Sequence, residues 1–341
     1  MEYKPCTEVI IQYIEKFQEV PTTTLAKKIF SENKGLFTSV ELVRSRLRYY
    51  RQQNGSKSRR KVKKGKYSEF YQAPAEAANK LGIPNPYFLP ESDEQQWVVF
   101  KVPSGNNNVL VLSDVHLPYH NIEALNAVFD YAKSEKINAV YLNGDILDFY
   151  GISRYVKDPR KRSFAGELEA GRKFLESIQR TFDCPIYYKL GNHEARYETF
   201  LKTAAPQFLD VPEYRLENLL RFGQYGVQLI ESRQLAKIGK LSIVHGHEFS
   251  SSVFSPVNPA RGLYLRGKKS MIAGHNHQTS EHSEKNIDGD VTRVWSTGCL
   301  CELRPEYMPF NKWNHGAAHI KTDREGNYEV YNFQVIDGRI F

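Results

Sequence analysis

NVLVLSDVHLPYHNIEALNAVFDYAKSEKINAVYLNGDILD, residues 108–148, changes character three times. Positions 109–112 are an unbroken apolar run, too short for a helix and suited to a strand buried on both faces, and the run ends in Ser113, Asp114 and His116. Positions 121–136 carry apolar residues at helical spacing, and 139–142 repeat the buried-strand pattern ahead of Asp145 and Asp148. A second helix at 166–182 and a third strand in PIYYKLGNHE, 185–194, continue the alternation. Strand, helix, strand, helix, strand is the order of an α/β fold with a parallel sheet, whose strands gather ligands at their carboxyl ends. Downstream, short alternating segments at 226–232, 235–239, 240–248, 270–277, 279–287, 290–298, 316–323 and 327–335 predict a second, largely antiparallel sheet packed on the first.

The chain before this region has a different composition. Residues 1–72 hold 16 Lys and Arg against 7 Asp and Glu, whereas 73–341 hold 31 against 32, so the net charge of +8 sits in the first fifth. Residues 6–18 and 22–33 read as amphipathic helices, the second behind a threonine cap. TSVELVRSRLRYYRQQNG, 38–55, opens with Thr38 and Glu41 at capping-box spacing and stops at Gly55. Val40, Val43, Leu47 and Tyr50 form its apolar stripe; Arg44, Arg48 and Arg51 form a cationic one. Such a three-helix unit suits a helix-turn-helix reader of a DNA groove, and equally a small bundle with a solvated basic face. KSRRKVKKGK, 57–66, with Arg59, Arg60, Lys61, Lys63 and Lys64 among its basic residues, tilts the balance toward nucleic acid, DNA favoured, held through residues 1–72.

The expected organisation is a helix-turn-helix-like basic domain at 1–56, a basic arm and linker at 57–106, and an α/β domain at 107–341. No apolar run reaches the roughly 18 to 20 residues of a membrane span, and the start, MEYKPCTEVI, lacks the layout of a signal peptide, which predicts a cytoplasmic protein with no membrane partner. Cys6, Cys184, Cys299 and Cys301 are too scattered for a disulfide framework, and the Cys299–Cys301 pair reads as packing on one strand face rather than a metal site.

Five polar clusters stand at strand ends: Asp114 with His116, Asp145 with Asp148, Asn192 with His193, His245, and His275 with His277. A single histidine after a strand is usually a hydrogen-bonded structural residue, but five clusters rich in oxygen and nitrogen donors are economically explained by convergence on metal. In extended chain, residues i and i+2 project to one side, so Asp114 with His116, and His275 with His277, can each aim two donors at one locus. An oxygen and nitrogen set without thiolates suits Mn, Fe or Zn, with Mn favoured. These are too many donors for one ion, and an aspartate can bridge two.

D-x-H, GD-x-x-D, GNHE, a later histidine and GH-x-H, in that order over about 107–300, resemble the calcineurin-like metallophosphoesterases. The resemblance implies a two-sheet sandwich flanked by helices around a dinuclear centre. It implies Asp114, His116 and His277 at the first metal, Asn192, His245 and His275 at the second, Asp145 as the bridge, and His193 as the acid for the leaving alkoxide. Two cations would acidify a water to hydroxide near neutral pH and neutralise phosphoryl charge. Glu194 and Asp148 are open between catalysis and structural hydrogen bonding. Arg154 and Arg196 are candidates to hold a phosphate oxygen or to be solvated, and His247 to contact substrate or support the site. Phosphoprotein phosphatases of this superfamily usually carry arginine where Phe149 stands here, which disfavours a phosphoprotein substrate.

Three functions compete: a phosphodiesterase or nuclease brought to nucleic acid by the basic head; a phosphomonoesterase or small-molecule phosphodiesterase; and a DNA-binding or virion-associated protein with an auxiliary phosphoesterase fold. A helix-turn-helix-like head on this kind of phosphoesterase also resembles proteins of bacteriophages and their bacterial hosts, placing the protein in the cytoplasm of such a cell or in a virion. Fold alone does not choose among them.

Overall fold

The computed structural model describes residues 5–51, 53, 90, 98–153, 163–249 and 257–341, and the chain divides into two units, Met1–Glu94 and Gln95–Phe341. In the first unit, α1 (Pro5–Lys16), α2 (Thr22–Glu32) and α3 (Val40–Tyr50) bury Ile10, Leu25, Ile29, Val43 and Leu47 in a shared core. The cap of α3 is Ser39 rather than Thr38: its hydroxyl accepts the Leu42 N–H at 3.2 Å, the bond an N-cap makes to the first turn. Helix α2 begins after Pro21 without a side-chain cap.

The arginine row is not uniform. Arg48 is exposed and Arg44 lies 3.3 Å from Glu41. Arg51 instead turns inward, donating to the carbonyls of Val20 at 2.6 Å and Phe17 at 2.9 Å and to the Thr22 hydroxyl at 3.1 Å. Five guanidinium donors on one planar fork let it tie the end of α3 to the turn between α1 and α2. The expected groove-facing row of three is thus a row of two with a structural anchor. Arg59, Arg60, Lys61, Lys63 and Lys64 lie outside the described residues, as does Gly55.

The second unit begins before the expected boundary. Strand β1 (Phe100–Lys101), within the supposed linker, pairs with a later strand, and Val102 enters the core. Strand β2 (Asn108–Leu112), α4 (Ile122–Ser134), β3 (Ala139–Asn143), α5 (Phe164–Phe182), β4 (Ile186–Lys189), α6 (Asn192–Ala204) and β5 (Val227–Ile230) follow, and β2 to β5 are parallel. Then come β6 (Ala236–Ile238), β7 (Leu241–Ile243), α7 (Pro259–Gly267), β8 (Met271–Ala273), β9 (Ser280–Lys285), β10 (Val291–Ser296), β11 (His315–Thr322), β12 (Tyr328–Ile336) and β13 (Arg339–Ile340).

One sheet has the order β13-β12-β11-β2-β3-β4-β5 and the other β1-β6-β7-β8-β10-β9. Val109, Val111, Tyr141 and Tyr187 face Ile243, Ile272 and Trp295 between the sheets, while Leu110, Leu112, Val140 and Leu142 meet α4 and α5 on the other side. That alternation is the period of two of a strand covered on both faces.

The second sheet is mixed, not largely antiparallel: β7 with β8 and β8 with β10 run parallel. The segment between 248 and 270 contains α7, an unanticipated crossover helix, and parallel neighbours need such a crossover. Strands β5, β11 and β12, expected in the second sheet, belong to the first. Local alternation marks a strand without saying which edge it joins.

Among the described residues no helix is long and apolar enough to cross a membrane. Arg51→Ala is expected to destabilise the amino-terminal unit by about 1–3 kcal/mol in urea denaturation, while Arg48→Ala stays within about 0.5 kcal/mol of wild type; equal effects would remove the anchoring role.

Candidate metal centre

Five of the candidate ligands hold left-handed backbone: Asp114 (φ +56°), His116 (φ +49°), Asp145 (φ +53°), His275 (φ +67°) and His277 (φ +57°). This differs from the extended i, i+2 geometry expected from the sequence. Strands β2, β3 and β8 thus end in sharp left-handed turns that carry these donors, whereas Asn192 and His245, after β4 and β7, do not adopt left-handed backbone. Non-glycine residues adopt this conformation at a cost of order 1–3 kcal/mol and persist in it where surrounding structure over-determines them. Gly191 and Gly274 allow the turns to meet. A Cβ on Gly191 would overlap Asp145 Oδ1, and one on Gly274 would overlap the Ser113 hydroxyl.

The side chains converge in two linked groups. Asp114, His116 and Asp145 bring donor atoms within 4.8 Å of one another, as do Asp145, His245 and His275, so Asp145 is common to both. Asp114 Oδ1 stands 3.2 Å from His277 Nε2, and His116 Nε2 faces His277 Nε2 at 3.2 Å. On the other side, His245 Nε2 is 3.2 Å from both Asp145 Oδ2 and the Asn192 side-chain oxygen. Asp114 Oδ1 is buried without a hydrogen-bond partner. An orphaned carboxylate oxygen beside opposed imidazole nitrogens fits a divalent cation, because a cation satisfies donors that have no proton to share.

A backbone carbonyl and a side-chain carboxylate orient two of these rings. His245 Nδ1 donates to the Asn143 carbonyl at 2.6 Å, leaving Nε2 directed into the site. His116 Nδ1 meets Asp148 Oδ1 at 3.1 Å to the same effect. Burial and then the His245 charge push His275 down to about 4, and burial, only partly offset by Glu248, does the same to His247. His247 lies beside the cluster, its ring 5.3 Å from that of His245.

Of the two roles open to Glu194, its contacts are those of structural hydrogen bonding: its carboxylate accepts the N–H groups of Asp145, Ile146, Leu147 and Gly191 at 2.8–3.0 Å and the Tyr188 hydroxyl at 3.0 Å. GNHE is therefore more than a polar turn. It starts α6, with Glu194 at the third helical position reaching back to the cap and across to the Asp145 turn. Burial, then the Asp145 charge, raise this carboxyl above its ordinary range against the pull of those N–H groups.

Glu248, which drew no attention in the sequence, does likewise for His245, accepting its N–H at 3.0 Å and that of Gly246 at 2.7 Å. Burial would raise Glu248, but buried Lys189, 3.0 Å away, together with His247, His245 and the Gly246 N–H, holds it down to about 2.

His193 sits at the edge of the cluster. Its Nδ1 donates to the Asp148 carbonyl at 2.8 Å and its Nε2 lies 3.7 Å from Asp145 Oδ2. Arg196 lies against the ring, with a guanidinium nitrogen 2.9 Å from His193 Nε2 and another donating to the Asp148 carbonyl at 3.1 Å. Arg154 is outside the described residues. The donor set is also not free of sulfur, since the Cys301 thiol groups with His116 and His277 within 4.8 Å. The alternation around Cys299 and Cys301 predicts burial but not which buried atoms they would meet.

Residues 108–295, which span every strand end from Asp114 to His277, match the family model described as calcineurin-like phosphoesterase. The chain belongs to that family. It is similar to the gene 54 proteins of Mycobacterium phage L5, at 28% identity over 231 residues, 64% of this chain and 90% of that protein, and of Mycobacterium phage D29, at 27% over 236 residues, 65% and 91%. Among solved structures it is similar to wild-type Vps29 complexed with Zn²⁺ from Entamoeba histolytica, at 14% identity and a TM-score of 0.36 over 69% of this chain and 96% of that one. The phosphoesterase is a metal-dependent hydrolase with a site of the two-metal type, as the family match and the buried Asp and His groups indicate.

Without metal, protons must compensate the buried carboxylates. Burial would lower His245 and His277, but the adjacent Asp145 and Asp114 carboxylates outweigh it and hold both at about 10. A histidine raised from 6.5 contributes stability that is complete below about pH 6.5 and lost as pH rises toward 10. The melting temperature of chelator-treated phosphoesterase should therefore fall across that window, and that of the metal-loaded protein much less. Calorimetry showing a flat metal-free profile would contradict the pairing.

Proposed function

We propose that this phosphoesterase hydrolyses phosphodiester bonds of nucleic acid, acting as a nuclease or phosphodiesterase. Asp114, His116 and His277 would hold one cation, Asn192, His245 and His275 the other, and Asp145 both. The observation that carries the proposal is the shared position of Asp145 between two donor groups, one of which contains a buried, unpartnered carboxylate oxygen. Two divalent cations, Mn²⁺ favoured and Fe or Zn as alternatives, supply when bound the acidity that makes water nucleophilic near neutral pH and the charge that offsets the phosphoryl oxygens.

The protein's own groups do the rest. Glu194 and Glu248 fix the turns that carry Asp145 and His245, so the ligands need little reorganisation. His193 keeps its Nδ1 proton on the Asp148 carbonyl. Its Nε2 accepts from Arg196 at 2.9 Å, and an incoming phosphate, as a better acceptor for a guanidinium, would draw Arg196 away. The freed Nε2 would then take up a proton from solvent, opposed by burial but favoured by the Asp145 and Asp148 carboxylates, and pass it to the departing oxygen.

The basic amino-terminal unit supports a nucleic-acid substrate. Exposed Arg48 and the nearby Arg44 on a capped third helix suit a helix-turn-helix reader, and the arm at 57–66 suits phosphate contacts. The phage relatives agree with a site of action in the cytoplasm of a phage-infected bacterium.

Purified chain with Mn²⁺ is expected to cleave a diester and DNA in preference to a monoester. Asp145→Asn should abolish this, and His193→Asn should slow alkyl leaving groups by about 10²–10⁴-fold but nitrophenolate ones far less. Preference for a monoester overturns the diesterase assignment, and DNA binding without any hydrolysis overturns the enzymatic one. Deleting residues 1–72 is expected to weaken DNA binding and flatten its salt dependence while small-diester turnover persists; unchanged DNA affinity removes the nucleic-acid role of the head.

A further inference from the structure

The segment between Cys301 and β11, ELRPEYMPFNKWN at 302–314, spends apolar surface on solvent. Among the described residues, the two aromatic side chains more than two-thirds exposed are Tyr307 at 68% and Phe310 at 94%, and Met308 between them is 43% exposed. Isolated exposed apolar residues are ordinary, but three within four positions form a patch that water does not favour.

The loop is nonetheless held in shape. The Asn311 side chain donates to the carbonyls of Leu303 at 2.6 Å and Met308 at 2.8 Å and accepts the Trp313 N–H at 2.9 Å, and Met308 N–H closes a turn on the Pro305 carbonyl at 3.0 Å. An ordered loop presenting bare rings is preorganised for a ligand, because the entropy of fixing the backbone that carries them has already been met.

Through Tyr307 the patch connects to the metal centre. Trp313 packs edge-on against His277, ring centroids 4.2 Å apart, and Tyr307 packs edge-on against Trp313 at 6.3 Å. The Tyr307 phenol is raised above its ordinary range by burial, then by the Asp148 charge, with Arg196 acting in the opposite sense. Trp313 and Tyr307 thus make an aromatic wall that rises from the side of the site carrying the first donor group.

We propose that Tyr307, Phe310 and Trp313 form a base-stacking subsite that seats the nucleobase next to the phosphoryl group being hydrolysed. The inference rests on the nucleic-acid reading above and narrows it to substrates with an unpaired base at the scissile position. Every nucleobase has a π-face, so stacking on rigid aromatic rings gives affinity without sequence preference. A paired base within a duplex offers no free face, so the wall selects single strands, frayed ends or nucleotides.

The test compares thymidine 5′-monophosphate with deoxyribose 5-phosphate, which differ only in the base and are too small to engage the amino-terminal unit. With the full-length chain and a chromogenic diester, the nucleotide is expected to inhibit at least about tenfold more tightly. It should also quench tryptophan emission in wild type but not in Trp313→Phe. Tyr307→Ala with Phe310→Ala should bring the two inhibitors within about twofold of each other while leaving inhibition by deoxyribose 5-phosphate unchanged, and Tyr307→Phe should retain the preference. Equal inhibition in wild type, or a preference that survives the double alanine variant, overturns the subsite and leaves the DNA-cleavage assay to judge the broader function. DNA cleavage absent alongside a persistent base preference overturns the nucleic-acid reading while keeping the subsite, and inhibition by neither compound overturns both.

Discussion

Two carboxylates, Asp114 and Asp145, sit fully buried in the middle of the larger unit. Removing such groups from water costs several kcal/mol apiece unless charge and hydrogen bonds compensate, and the architecture around them follows from that requirement. Imidazoles surround both aspartates, backbone N–H groups reach one oxygen of each, and the remaining oxygens are left for a partner of positive charge. Asp114 Oδ2 takes the His275 N–H at 2.8 Å and Asp145 Oδ1 takes the His193 N–H at 2.9 Å, so each carboxylate is tethered by one oxygen and available by the other.

The same requirement accounts for the backbone. Left-handed conformation at five donors is a local cost, and the neighbouring structure offsets it through carboxylates that are not themselves donors. Glu194 gathers four backbone N–H groups from two separate turns, and Glu248, held by Lys189, gathers two more. Acidic residues near this centre thus divide by job: some face the site with a free oxygen, while others have every oxygen engaged in fixing backbone. Nor do neighbours in sequence share a job, since His193 and Glu194 are adjacent and have different partners.

Charge is partitioned along the chain in a way that matches this division of labour. The larger part of the sequence is close to neutral overall, so its field is local, set by the site's own carboxylates and imidazoles. The excess of positive charge lies in the first 72 residues, apart from that site in the sequence. Within that head the three arginines of the α3 row are not equivalent, because Arg51, at the C-cap, donates to the Phe17 and Val20 carbonyls beyond the end of α1 while Arg48 is exposed.

The sequence by itself determined the parallel βαβ order, the buried strands and the identity of the polar residues at their ends, because apolar periodicity and strand-end donors are properties of neighbours along the chain. It also marked the three helices of the head and their apolar faces. Only the tertiary structure decided that 227–230, 315–322 and 328–336 extend the first sheet, that α7 makes the second sheet mixed, and that Glu194 clamps the Asp145 turn. The aromatic wall at 307–313 and the approach of Cys301 to His116 and His277 were equally illegible beforehand. Each depends on contacts between segments tens to hundreds of residues apart, and burial or hydrogen bonding across such distances leaves no periodic trace in the chain that makes it.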